Sequence, residues 1–153
     1  MGNNPFIPFP VLETKRLILR NVETTDLHDI FDYASDSTLT KYLTWGAHQT
    51  LADTEGFIEF LSASNKRHTG GTWVIVWKDK PRVIGTIDLA WNQKHYTAEL
   101  AYALSREYWR KGIGTEAVQE VVRFGFEALK LERIFARCHP ENEASYKLME
   151  KQG

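Results

Sequence analysis

Along Arg16–Asn21 the chain reads RLILRN, with Leu17 and Leu19 on one face and Ile18 and Arg20 on the other. A period of two predicts a strand. From Asp26 to Ala34 the period becomes helical, with Leu27, Ile30 and Phe31 on one stripe and Thr24-Thr25-Asp26 as the cap. A second helix is predicted over Leu51–Asn65, burying Phe57, Ile58 and Leu61, with Gly70-Gly71 ending that region. Ser35–Gln49 follows neither period and reads as irregular, and the Pro-punctuated lead-in Asn3–Pro10 reads as extended. Thr72–Lys78, Arg82–Trp91 and Ala98–Leu104 are rich in β-favouring residues. The turn signals Lys78–Pro81 and Asn92–His95 join these three runs into an antiparallel meander. Gly114–Leu129 returns to the helical period through Ala117, Val118, Val121, Val122, Phe124 and Ala128. Glu132–Cys138 is the next strand, and a last helix is predicted over Glu143–Gln152, after Pro140 and Asn142. Antiparallel strands followed by a βαβ crossover make this a mixed α/β (α+β) chain.

Composition narrows the function. A chain of 153 residues is expected to form one domain, 1–153, with a proper core. Trp73, Trp77 and Trp91 are the expected aromatic part of it. The net charge of −1 gives no basic field for nucleic acid. The single cysteine, Cys138, excludes an internal disulfide and fits a reducing compartment. No leader and no bilayer-length apolar run is found, so a cytoplasmic protein with no membrane partner is expected. His28, His48, His68, His95 and His139 show no ligand spacing, and no metal is expected. Cys138 and His139 are neighbours in a predicted strand, point to opposite faces and are poorly placed to act together.

The chemistry concentrates in Ala98–Ala117, AELAYALSREYWRKGIGTEA. A strand is followed by a turn, Arg110, Lys111, Gly112, Ile113, Gly114 and Thr115, which opens a helix. The first amides of a helix lack intrahelical partners, and its dipole favours an anion there, so a phosphate site is predicted. Neither GxxxxGK[ST] nor GxGxxG is present, so this is not a Walker or a dinucleotide loop.

The stretch resembles the acetyl-CoA pyrophosphate loop of the GNAT superfamily of N-acetyltransferases, whose pattern is Gln/Arg-x-x-Gly-x-Gly/Ala. Gly112 and Gly114 take the small positions, whereas Trp109 replaces the Gln/Arg. Trp109, with Thr115-Glu116-Ala117 following, is similar to the branch that acetylates N-termini of ribosomal proteins. Leu12–Arg20 resembles that branch's opening strand, and Asn142-x-x-Ser145 with Glu150-Lys151-x-Gly153 its last cofactor helix. The resemblance implies a twisted, mostly antiparallel sheet flanked by helices and splayed between its fourth and fifth strands, with the cofactor in the gap. It also implies acetyl transfer from acetyl-CoA to a primary amine, a protein N-terminus or a small molecule, by direct attack in a ternary complex. A non-catalytic CoA-binding module is the alternative.

By resemblance, Tyr102, Ala103 and Leu104 run beside the pantetheine arm, Arg110–Thr115 hold the pyrophosphate, and Asn142 contacts the pantetheine. Ser145 is the proton donor to the leaving sulfur; helix cap and surface residue are the plainer readings of Asn142 and Ser145. Glu99 shares a strand face with the small residues Ala101 and Ala103. It reads as the catalytic base, or as an exposed carboxylate with a water chain carrying the proton. Tyr42 and Trp45 read as lining the acceptor pocket or as packing. The family adds two further strands where this chain stops, so the domain reads as truncated at its C-terminus. Glu132–Cys138 would then be an open edge, which predicts pairing with another copy or a missing segment.

Overall fold

The computed structural model describes residues 4–41, 46–137 and 146–150. Its strands are β1 (Leu12–Glu13), β2 (Leu17–Arg20), β3 (Gly70–Trp77), β4 (Arg82–Asn92), β5 (Thr97–Leu104), β6 (Arg133–Arg137) and β7 (Tyr146–Glu150). Helices α1 (Leu27–Ala34), α2 (Ser37–Thr40) and α3 (Leu51–Asn65) lie between β2 and β3, and α4 (Ile113–Glu127) lies between β5 and β6. The strands form one sheet in chain order. Every neighbouring pair is antiparallel except β5–β6, which α4 joins as a parallel crossover. This is the mixed, mostly antiparallel architecture read from the sequence.

The sheet is buried on both faces. On the first, Leu17, Leu19, Trp73, Ile75, Ile87 and Leu100 pack against Ile113, Ala117, Val121 and Phe124 of α4. Phe6, from the lead-in, fills this side against Trp73 and Phe124. On the second, Val74, Val76 and Val83 meet Ile30, Tyr33 and Ala34 of α1 and Ile58 and Leu61 of α3. A register shift at Ile75/Val76 leaves Ile84 as an extra residue in β4. The bulge decides which core each neighbour enters, placing Val83 opposite Val76 on the α1–α3 side and Ile84 on the α4 side.

Local chemistry explains most boundaries. Thr50 and Asp53 form a capping box that starts α3. Thr24–Asp26, expected as a simple cap, forms a turn of 3-10 helix. Asp26 is buried there because its carboxylate takes both Nη atoms of Arg20, at 2.8 and 3.0 Å. α2 falls within the segment expected to be irregular, and it exists because Asp36 accepts from the amides of Thr38 and Leu39. β3 begins at Gly70, so the two glycines open the strand.

The C-terminal expectation differs from the structure. Instead of a helix over Glu143–Gln152, Tyr146–Glu150 is a strand antiparallel to β6, with Arg137 opposite Tyr146 and Arg133 opposite Glu150. Lys, Leu, Met and Glu are good helix formers, but an unpaired strand edge offers a row of backbone donors and acceptors that outweighs weak local preference. The outer edge of β6, expected to stand open, is therefore covered from within the chain.

Candidate active site

The turn after β5 is set by backbone geometry. Arg106–Tyr108 forms a 3-10 turn, Arg110 has φ 62°, and Gly112, with φ 74°, is the N-cap of α4. The first helical bond at this end is Glu116 N–H to Gly112 O, 3.0 Å. Helix geometry thus leaves the amides of Ile113, Gly114 and Thr115 without intrahelical acceptors, pointing out of the turn. The two glycines serve different ends. A Cβ on Gly112 would meet only Arg16 Nη2, at 3.7 Å, so glycine is favoured there by the left-handed backbone. A Cβ on Gly114 would lie 3.0 Å from both Cε2 and the hydroxyl oxygen of Tyr102, so glycine there admits the aromatic ring. Trp109, the departure from the family pattern, is an anchor. Its indole nitrogen donates to Leu104 O at 2.7 Å and its ring packs against both cores.

Two ion pairs hold this turn. Glu116, in the first turn of α4, reaches the β1–β2 connection. Its Oε1 accepts from Arg16 Nε at 2.7 Å, and its Oε2 from the Arg16 amide at 2.9 Å and the Thr14 hydroxyl at 2.5 Å. Burial alone would raise the Glu116 carboxyl, but these bonds hold it below the usual carboxylate range. On the other side Arg106 Nε donates to Asp36 at 2.5 Å, tying the turn to the cap of α2. Burial opposes the charge on Asp36 as well; Arg106 and the Leu39 and Thr38 amides prevail and lower its pKa. Sequence reading gave Thr14, Arg16, Asp36, Arg106 and Glu116 no role at the turn, although Thr14, Arg16 and Glu116 stand in its quoted motifs. The usable signal was Glu116 itself, since a carboxylate in the first turn of a predicted anion-binding helix calls for a cation.

The β5–β6 ladder runs from Thr97↔Arg133 to Leu100↔Ala136, while β5 continues to Leu104. Beyond Leu100, Ala103 faces Thr86 across the β4 ladder, and Tyr102 turns to the α4 side. Glu99 lies where the ladder ends, paired with Phe135 on β6 and Ala90 on β4. It is half-buried, and Ala101 and Ala103 share its face as alternation predicts. Asp88, opposite Ala101, brings a second half-buried carboxylate to that face, diagonal to Glu99. Sequence reading missed it because cross-strand register decides it. Tyr42, Trp45, Cys138, His139, Asn142 and Ser145 lie outside the described residues. Among the described residues no acidic, His or Cys cluster could hold a metal ion, and no helix is long and apolar enough to cross a membrane.

A parallel strand pair whose ladder stops short thus lies beside a helix that opens on a left-handed glycine. A family model described as an acetyltransferase (GNAT) domain matches residues 16–153. The uncharacterized N-acetyltransferase YoaA of Bacillus subtilis (strain 168) is 38% identical over 146 residues, covering 95% of this chain and 82% of that protein. A GNAT-family acetyltransferase structure from Bacillus anthracis is 29% identical, with TM-score 0.74 over 89% of this chain and 78% of that one. RimL, a ribosomal L7/L12 alpha-N-protein acetyltransferase solved with coenzyme A, aligns with TM-score 0.76 over 88% of this chain and 77% of its own; at 14% identity this shows the fold. The chain belongs to the GNAT acetyltransferase family and is an acetyl-CoA-dependent acetyltransferase.

Proposed function

We propose that the acetyl group goes from acetyl-CoA to a primary amine, a protein N-terminus or a small molecule, by direct attack in a ternary complex. The observation that carries this reading is the pairing of the Arg110–Thr115 turn with a β5–β6 ladder that ends at Leu100↔Ala136. The amides of Ile113, Gly114 and Thr115 and the side chains of Arg110 and Lys111 bind the diphosphate, at the α4 side of the sheet. The pantetheine arm follows Tyr102, Ala103 and Leu104, as an added strand does at a sheet edge. It passes the opening beyond Leu100 and brings the thioester toward the face that carries Glu99.

Acetyl transfer asks little of the protein beyond position, because the thioester is already activated. The incoming amine must lose a proton, and Glu99, directly or through a water chain, accepts it. Asp88 adds negative charge to the same face and favours a protonated amine on approach. Asn142 contacts the pantetheine and Ser145 protonates the departing sulfur, while Tyr42 and Trp45 line the acceptor side. The lone Cys138 suits a reducing cytoplasm.

The test is calorimetric titration with acetyl-CoA, then thiol release against a panel of amines and N-terminal peptides. Binding with amine-dependent thiol release is expected. Binding with no release from any amine would contradict the amine-acceptor reading.

A further inference from the structure

Glu116 poses a problem for the site. Its carboxylate belongs to the same helical turn as the amides of Ile113, Gly114 and Thr115. Facing the diphosphate, it would repel it. It is turned instead to the β1–β2 connection, with both oxygens engaged by Thr14 and Arg16. The guanidinium that engages it has one edge to spare. Arg16 Nη1 donates to the carbonyl of Lys111, inside the cofactor turn, at 3.3 Å. Its Nη2 lies 3.7 Å from the point a Cβ would occupy on Gly112 and donates to no acceptor among the described residues. The flat face of the group rests 5.9 Å from the centre of the Trp77 ring. Trp77 packs on Tyr108, which in turn carries the Lys111 ammonium 6.0 Å above its ring. A carboxylate on one edge and an indole on one face fix the fork before any ligand arrives.

We propose that Arg16, from the N-terminal hairpin, is a diphosphate-binding residue of the acetyl-CoA site, and that Glu116 and Thr14 are its positioning residues. This rests on the functional reading above. Arg16 presents Nη2 to the diphosphate oxygens at Gly112 and fixes the turn through Lys111 O. The hairpin thereby becomes part of the cofactor site, although it lies about a hundred residues earlier in the chain.

The experiment measures acetyl-CoA affinity by calorimetry, and kcat at saturating acetyl-CoA, for wild-type protein, Arg16→Met, Arg16→Lys and the double variant Arg16→Met/Glu116→Gln. Thermal melting of each variant confirms the fold. Arg16→Met keeps the stem on Trp77 and is expected to raise the Kd tenfold or more, with kcat within twofold. Arg16→Lys, which keeps charge but loses the fork, is expected to recover less than half of that loss on a logarithmic scale. The double variant is expected to stay as weak as Arg16→Met. Its return to wild-type affinity would mean that Arg16 only neutralises Glu116, and would overturn the proposal. So would a Kd for Arg16→Met within twofold of wild type, or full affinity in Arg16→Lys. Wild-type protein that binds no acetyl-CoA would overturn the functional reading and this inference together, whereas tight wild-type binding untouched by Arg16→Met overturns this inference alone.

Discussion

The turn that opens α4 and the sheet face that carries Asp88 and Glu99 lie on opposite sides of one sheet and are built by different means. Around Arg110–Thr115 a local bond, Trp109 to Leu104, is joined by long-range ones, Glu116 to Thr14 and Arg16 and Arg106 to Asp36. The other face, which we propose meets the acceptor, is a stretch of β4 and β5 with small side chains, Ala90, Ala101 and Ala103, around two carboxylates, Asp88 and Glu99. A ligand that never changes can be met by a rigid turn whose backbone does the binding. On a regular sheet, by contrast, a substitution changes the chemistry presented without moving the backbone. The contrast teaches that the turn is set by the φ angles of a few residues, whereas the face is set by strand register and differs only in the side chains it presents.

The comparison can be broken most sharply at Gly112. Aspartate tolerates the left-handed backbone better than most residues, so Gly112→Asp is expected to fold. Its carboxylate would confront the diphosphate, and acetyl-CoA affinity is expected to fall ~100-fold or more, by the size of a close like-charge repulsion. Calorimetry reads this directly, and near-normal affinity would remove the turn from the site. A smaller effect, confined to the other side, is expected from Glu99→Gln. With Glu99 as the base, kcat should drop ~100-fold while acetyl-CoA affinity stays within twofold. A drop of only a few-fold, measured by steady-state thiol release, would assign the proton to a water chain and leave Glu99 a surface carboxylate.

Much of this was legible in the order of residues. The meander, the crossover helix and the turn at Gly112 were readable because each is local: alternation, turn chemistry and glycine spacing within a dozen residues. The helix over Leu51–Asn65 was legible from Phe57, Ile58 and Leu61, and the capping box of Thr50 and Asp53 that starts it lies within one turn. Tertiary pairing was not legible. Tyr146–Glu150 has helix-forming residues yet lies along β6, because the edge of that strand supplies hydrogen bonds that local sequence does not record. Asp88 joins Glu99 only through the β4–β5 register. Gly114 was legible as a small residue of the turn, but the ring of Tyr102 against it was not, being a contact across twelve residues that only the folded chain defines. Arg16 and Glu116, a hundred residues apart, are the extreme case. Each half of that pair carries a plain reading on its own, and only their meeting at the turn gives either a role.

The central claim is that free amides at the start of α4 hold the diphosphate of acetyl-CoA. The most direct test is amide chemical-shift mapping of the labelled protein during titration with coenzyme A. The account predicts that the amides of Ile113, Gly114 and Thr115 shift most, as hydrogen bonds to an anion form, with Ala103 and Leu104 following along the pantetheine path. Saturable binding that leaves the amides of residues 112–116 unmoved would contradict it.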